Sequence, residues 1–267
     1  MSQGLKPAFS ALIIVAGGMF AQSPAARPAF DAFEVATIKP TPPDYQGGRF
    51  IAMQSAHLFG AKNYTLKSLV GAAYNLTPRA VSGGPSWIDS DRYDIVAKTP
   101  NEIRPNLDEQ MSMLRKLLAD RFKLTFHRER KELSIYALTV ARNGPKLKQS
   151  TEPPDAPPVL VNRIFPGRVL LPARNATMAQ LASMMQRAVL DRPVLDKTGL
   201  SGKYDFDLEW TPDETQFGGQ GPPGAPEIPL KPDLFAALQQ QLGLRLEAAK
   251  GPVEVLVVDQ VERPSEN

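Results

Sequence analysis

The feature that most constrains this chain is an ordered internal repeat. Asn63-Tyr64-Thr65-Leu66 is answered by Asn175-Ala176-Thr177-Met178, 112 positions on, and Tyr93-Asp94-Ile95 by Tyr204-Asp205-Phe206, 111 positions on. Both stretches run to a Thr-Pro, at Thr99-Pro100 and Thr211-Pro212. Leu114, Leu118, Phe122, Leu124 and Phe126 are then matched by Leu234, Leu238, Leu242, Leu244 and Leu246, each 120 positions on. Ile135 and Leu138 stand opposite Val255 and Val258 in the same way. The period is far longer than the ~20–50 residues of a solenoid. It predicts an α+β fold of two tandem copies of a helix–strand-pair–helix–strand-pair module. Amphipathic helices would cover one face of antiparallel or mixed sheets.

Local patterns fill in the module. FEVATIKP reads as a strand from Phe33, with Phe33, Val35 and Ile38 on its buried side. Leu66, Leu69, Val70 and Tyr74 have helical spacing, and Asn63 or Thr65 precedes them as a cap. A second helix is expected over 108–120, with Met111, Leu114, Leu117 and Leu118 inward. Phe122, Leu124 and Phe126 alternate with polar residues as a strand, and 133–141 reads as its return partner. The expected organisation is a signal peptide and lead-in at 1–26, a first module at 33–147, a linker at 148–164 and a second module at 165–264. A Gly/Pro-rich loop at 213–232 interrupts the second module. Proline makes up 26 of 267 residues, about twice the usual ~5%, which favours stiff loops over long helices.

The N-terminus carries an address. Lys6 precedes the apolar run Ala8–Phe20, followed by small residues and proline. A basic start, a short apolar run and a small-residue exit describe a secretory signal peptide. The run falls short of the ~20 apolar residues that span a bilayer. The expected location is periplasmic or extracellular, with no membrane span after signal removal.

Composition removes several kinds of chemistry. Without cysteine there is no disulfide framework, thiolate metal site or cysteine nucleophile. The two histidines, His57 and His127, lack metal-ligand spacing, so no metal and no cofactor are expected. A net charge of +3 without a clustered patch argues against nucleic acid. Ser82-Gly83-Gly84 reads as a tight turn, not a nucleophile elbow. Asp205, Asp207 and Glu209 alternate along one strand face and read as solvated, whereas Asp94 and Asp205, beside the paired tyrosines, suit capping a turn or holding a backbone amide. The copies diverge before those tyrosines, where one has Gly83-Gly84-Pro85-Ser86-Trp87-Ile88 and the other Lys197-Thr198-Gly199-Leu200-Ser201-Gly202. Trp87, with Arg92 nearby, is therefore the expected partner-binding pair, and no catalytic residue is assigned.

The segments VSGGPSWIDSDRYDIVAK, MLRKLLADRFKLTFHRERKELSIYALTVARNGPKL and VLDKTGLSGKYDFDLEWTP, with FEVATIKP and the C-terminal LFAALQQQLGLRLEAAKGPVEVLVVDQVERPSEN, resemble a large family of uncharacterised exported proteins expanded in soil Acidobacteria. Related domains are attached to membrane metallopeptidases similar to β-lactam sensors, and the modules resemble in architecture the short N-terminal domain of secretins and TonB-dependent receptors. The resemblance implies no activity and no catalytic residues. The expected function is that of an exported, non-catalytic binding or interaction protein of the cell envelope, its partner a protein, peptide or glycan. The alternative is a hydrolase acting on an envelope polymer through carboxylates.

Overall fold

The computed structural model describes Met1, residues 28–218 and residues 231–264. The expected signal peptide and lead-in lies, Met1 apart, outside the described residues, as do 219–230 of the Gly/Pro-rich loop. The fold is α+β, with antiparallel and mixed sheets. The first half runs β1 (Val35–Pro40), β2 (Phe50–Met53), β3 (Leu58–Thr65), α1 (Leu66–Ala73), β4 (Val81–Gly83), α2 (Trp87–Ser90), β5 (Arg92–Lys98), α3 (Leu107–Arg121) and β6 (Thr125–Val140). The second runs β7 (Lys148–Gln149), β8 (Val159–Leu160), β9 (Arg163–Phe165), β10 (Arg168–Ala176), α4 (Met178–Met184), β11 (Val194–Asp196), β12 (Tyr204–Trp210), α5 (Leu234–Ala237) and β13 (Leu244–Gln260). Both α4 and α5 run on into a π turn.

These strands make three sheets. The order is β1-β5-β3-β2 in the first and β7-β12-β10-β8 in the second, where β9 also joins β10. The third, β11-β6-β13-β4, draws strands from both halves. Residues 148–164, expected as a linker, carry β7, β8 and β9 and so belong to the second sheet.

Helix boundaries follow from caps. Asn106 and Glu109 form a reciprocal capping box at α3, Thr177 and Gln180 another at α4, and the Thr65 hydroxyl accepts from the Ser68 amide at α1. After α3 and α5 the chain turns through a left-handed residue, Lys123 (φ 52°) in one half and Gly243 (φ 64°) in the other. At Gly243 a β-carbon would collide with the Gly144 carbonyl oxygen, so only glycine fits there.

Two expectations are corrected. Val35 is 60% exposed while Ile38 is 3% exposed, because Phe33 precedes β1 and Ile38 sets the strand's phase. Where a strand pair was expected over 122–127 and 133–141, one strand of 16 residues runs straight through. The intervening Arg128-Glu129-Arg130-Lys131-Glu132 is charged but contains no turn residue, so nothing stops the strand. Its partner β13 even passes through Gly251-Pro252. Proline is tolerated there because, among the described residues, β4 pairs that edge of β13 only at Leu256–Val258 and no strand pairs it at Pro252.

The long β6–β13 ladder joins the halves. Glu132 pairs with Pro252, and the register reads alike outward from that pair: Arg128 faces Leu256 and Tyr136 faces Ala248. The flanking strands cross over. β4 adds in parallel to β13 at Leu256–Val258, and β11 adds in parallel to β6 at Tyr136–Leu138. The cores cross over too. Leu256 and Val258 complete the first-half core around Phe59, Leu114 and Phe122, while Leu138 is buried in the second-half core around Leu171, Leu208 and Trp210. Each half therefore closes its core with side chains from the other.

Candidate functional site

The site begins with a bulge. In the first and second sheets the ladder slips where a left-handed asparagine sits, Asn63 (φ 60°) between β3 and β5 and Asn175 (φ 53°) between β10 and β12. Asparagine is among the few residues that enter this conformation without a large steric cost. A carboxylate holds each bulge. Asp94 accepts from the Asn63 amide at 3.0 Å, and Asp205 accepts from the Asn175 amide at 2.9 Å. The Asn175 amide, then the Ser150 side chain, keep the Asp205 carboxyl below its ordinary range. Thr41 donates its hydroxyl to Asp94 at 2.7 Å in the corresponding place.

A proline loop then leaves the edge strand in each half. Thr41 N donates to Arg92 O and Ser150 N to Lys203 O, at 2.9 and 2.8 Å. Pro42-Pro43-Asp44 and Pro153-Pro154-Asp155 follow, each closed by a turn, Tyr45 N to Pro42 O at 3.0 Å and Ala156 N to Pro153 O at 2.9 Å. The halves differ in what the loop does next. In the second, Asn175 is 2% exposed and its side-chain amide donates to the carbonyls of Pro153 (3.3 Å) and Ala156 (2.6 Å). The Lys203 ammonium donates to the Pro154 carbonyl. In the first, the same place is a cleft of about 420 Å³ lined by Thr41, Pro42, Pro43, Tyr45, Asn63, Ser90 and Arg92.

The cleft is polar, with an aromatic wall. Arg92 is exposed; it donates to Asn63 O at 3.2 Å and makes no ion pair among the described residues. The Asn63 side chain makes two long bonds, its Nδ2 donating to Gly47 O at 3.4 Å and its Oδ1 accepting from Arg92 at 3.5 Å. The Lys62 ammonium lies 4.6 Å from the centre of the Tyr45 ring, a cation–π contact that props the ring. No carboxylate lines this cleft, nor a second of about 360 Å³ lined by Ala141, Arg142, Asn143, Lys146, Gln239, Gly243 and Arg245.

Trp87 begins α2 and Arg92 begins β5, and the two have different surroundings. Arg92 lines the cleft. Trp87, half-buried against the first core, does not; its ring lies 4.9 Å from the Arg263 guanidinium, which is paired with Asp91 at 2.9 Å. Tyr93 is buried and stands edge-on to Phe122 at 5.3 Å, and Tyr204 packs half-buried against the second core. Thr41, Tyr45 and Asn63 were not singled out as site residues, although the doubled Pro-Pro-Asp marks their loop in the sequence.

Other titratable groups are occupied by neighbours. His127 on the exposed face of β6 sits between two carboxylates, Glu129 at 3.1 Å and Asp259 at 2.7 Å. Glu129 first, then Asp259, raise its pKa above the ordinary histidine value. Asp207 pairs with Arg174 at 3.0 Å, and Glu209 with Arg168 and Lys231 at 2.5 and 2.9 Å. Among the described residues no group of three His, Asp or Glu side chains is placed to hold a metal ion, and no helix is long and apolar enough to cross a membrane.

This chain belongs to the family described as a protein of unknown function, DUF3738, whose model matches residues 67–261. No curated protein and no solved structure matches it.

Proposed function

We propose that the protein is an exported, non-catalytic binding protein of the cell envelope, built from two copies of one module, and that its ligand site is the cleft at Arg92. The observation that carries this reading is the state of Arg92, an exposed guanidinium beside a half-buried asparagine amide and without an ion-pair partner among the described residues. A guanidinium is a forked donor suited to planar anions, and an aromatic ring beside it supplies a stacking surface. The export reading rests on the Lys6 and Ala8–Phe20 pattern. Attachment of related domains to β-lactam-sensor-like peptidases, and the architectural likeness to secretin and TonB-receptor domains, fit a role at the envelope. The carboxylate hydrolase is not favoured, because Asp205, Asp207 and Glu209 are engaged by neighbouring amides and cations.

Thermal unfolding with a panel of acidic and neutral oligosaccharides and peptides tests the proposal. At a concentration ~100 times Kd a ligand adds ~2.7 kcal/mol, which raises Tm by several degrees. At least one anionic compound should do so for the wild type and not for Arg92→Gln. A panel that shifts both proteins equally, or neither, contradicts the reading.

A further inference from the structure

We propose that the Arg92 cleft takes a short, extended acidic peptide, gripped at its carbonyl and carboxylate oxygens by the Asn63 amide and the Arg92 guanidinium. The proposal rests on the binding-protein reading above and names the ligand class. In the second half, the counterparts of these two side chains already hold a peptide. The Asn175 amide grips the carbonyls of Pro153 and Ala156, and the Lys203 ammonium grips the carbonyl between them, at Pro154. That peptide is the chain's own Glu152-Pro153-Pro154-Asp155-Ala156, acidic and stiffened by two prolines.

In the first half the frame is the same. The bulged asparagine, the carboxylate on its amide, the edge-strand bond from Thr41 and the proline turn all recur. The loop reaches the donors only through a long 3.4 Å bond from the Asn63 amide to Gly47 O, and Pro42, Pro43 and Tyr45 form a wall of the cleft. Two donors that bind peptide carbonyls in one half thus border an open cleft in the other, where the Asn63 amide has a long bond to Gly47 O and Arg92 reaches only Asn63, at its backbone O and its Oδ1. The exchange of Lys203 for Arg92 alters the preferred acceptor. An ammonium is a point donor suited to one carbonyl, whereas a guanidinium presents two parallel N–H groups that match a carboxylate. Lys62, beside the Tyr45 ring and paired with Asp94 at 3.8 Å, places a second cation at the rim. The occupant is accordingly a peptide with an acidic side chain or free carboxylate next to proline, its rings against Tyr45.

The test uses ¹⁵N-labelled full-length mature protein and the synthetic peptide Thr-Glu-Pro-Pro-Asp-Ala, with a Gln/Asn-substituted peptide and polygalacturonate as comparison probes. The acidic peptide should shift the amide resonances of Thr41, Tyr45 and Asn63. Arg92→Gln should weaken it at least tenfold. Asn63→Gly, which keeps the left-handed backbone while removing the amide, should weaken it as well. Arg142→Gln at the second cleft should leave binding unchanged, and unaltered resonances elsewhere establish that each variant is folded. Equal binding of the neutral peptide, or equal binding by Arg92→Gln, overturns the proposal. If polygalacturonate binds through Arg92 while the acidic peptide does not, the peptide assignment is wrong and the cleft stands as a binding site. If no probe perturbs the cleft, both readings fall.

Discussion

Replacing Trp210 with alanine is expected to cost about 3–5 kcal/mol, the range for deleting a large buried aromatic. That is a large part of the ~5–15 kcal/mol that holds a typical domain folded. Trp210 ends β12 with no exposed surface and packs in the second-half core. Its indole N–H donates to Gln216 Oε1 at 2.8 Å, and Gln216, 1% exposed, donates in turn to Asp213 at 2.8 Å. Alanine would leave a cavity and a buried carbonyl without its donor. Trp210→Phe keeps most of the ring and loses the hydrogen bond, so it should cost less, about 1–3 kcal/mol. Urea titrations followed by far-ultraviolet circular dichroism measure both. Equal losses in the two variants would mean that the buried ring volume is not what matters.

The second large effect should come from a residue that serves the other half's core. Leu138 lies on β6, among first-half elements, yet is buried without exposed surface in the second-half core. Leu138→Ala should cost about 2–5 kcal/mol, and the loss should appear in both halves together. The molecule carries its own reporters, since its two tryptophans fall one in each half, Trp87 and Trp210. With Trp210→Phe in one protein and Trp87→Phe in another, fluorescence follows each half separately. Adding Leu138→Ala should lower both midpoints and leave them coincident within each protein's other probes, the mark of one cooperative unit. If only the Trp210 signal shifts, the crossed strands do not couple the halves.

Much of this was legible in the sequence, and the misses have physical causes. The apolar spacing of Met111, Leu114, Leu117 and Leu118 predicts a helix over 108–120, and α3 runs Leu107–Arg121; the duplication of Asp94 and Asp205 beside Tyr93 and Tyr204 points to a structural role for both. The long strands were missed because a charged run and a Gly-Pro pair resemble a hairpin connection when the partner strand lies over a hundred residues away. Pairing at that distance leaves no local signal, and neither does the crossing of β4 and β11. The site was half legible. Arg92 is legible, and Trp87 stands out beside it because the copies diverge there, whereas the loop bearing Pro42-Pro43-Asp44 and Pro153-Pro154-Asp155 diverges in conformation rather than in motif. A repeated motif cannot reveal which copy closes on its own asparagine.

That difference, one donor pair open and its counterpart closed by the chain itself, is the centre of the account. Side-chain amide exchange measures it directly. The Asn175 amide protons, bonded to the Pro153 and Ala156 carbonyls and shielded from water, should exchange slowly in the unliganded protein. Those of Asn63, with one long bond to Gly47, should exchange at close to the rate of an exposed asparagine. Equal rates at the two asparagines, or slower exchange at Asn63, would contradict the account.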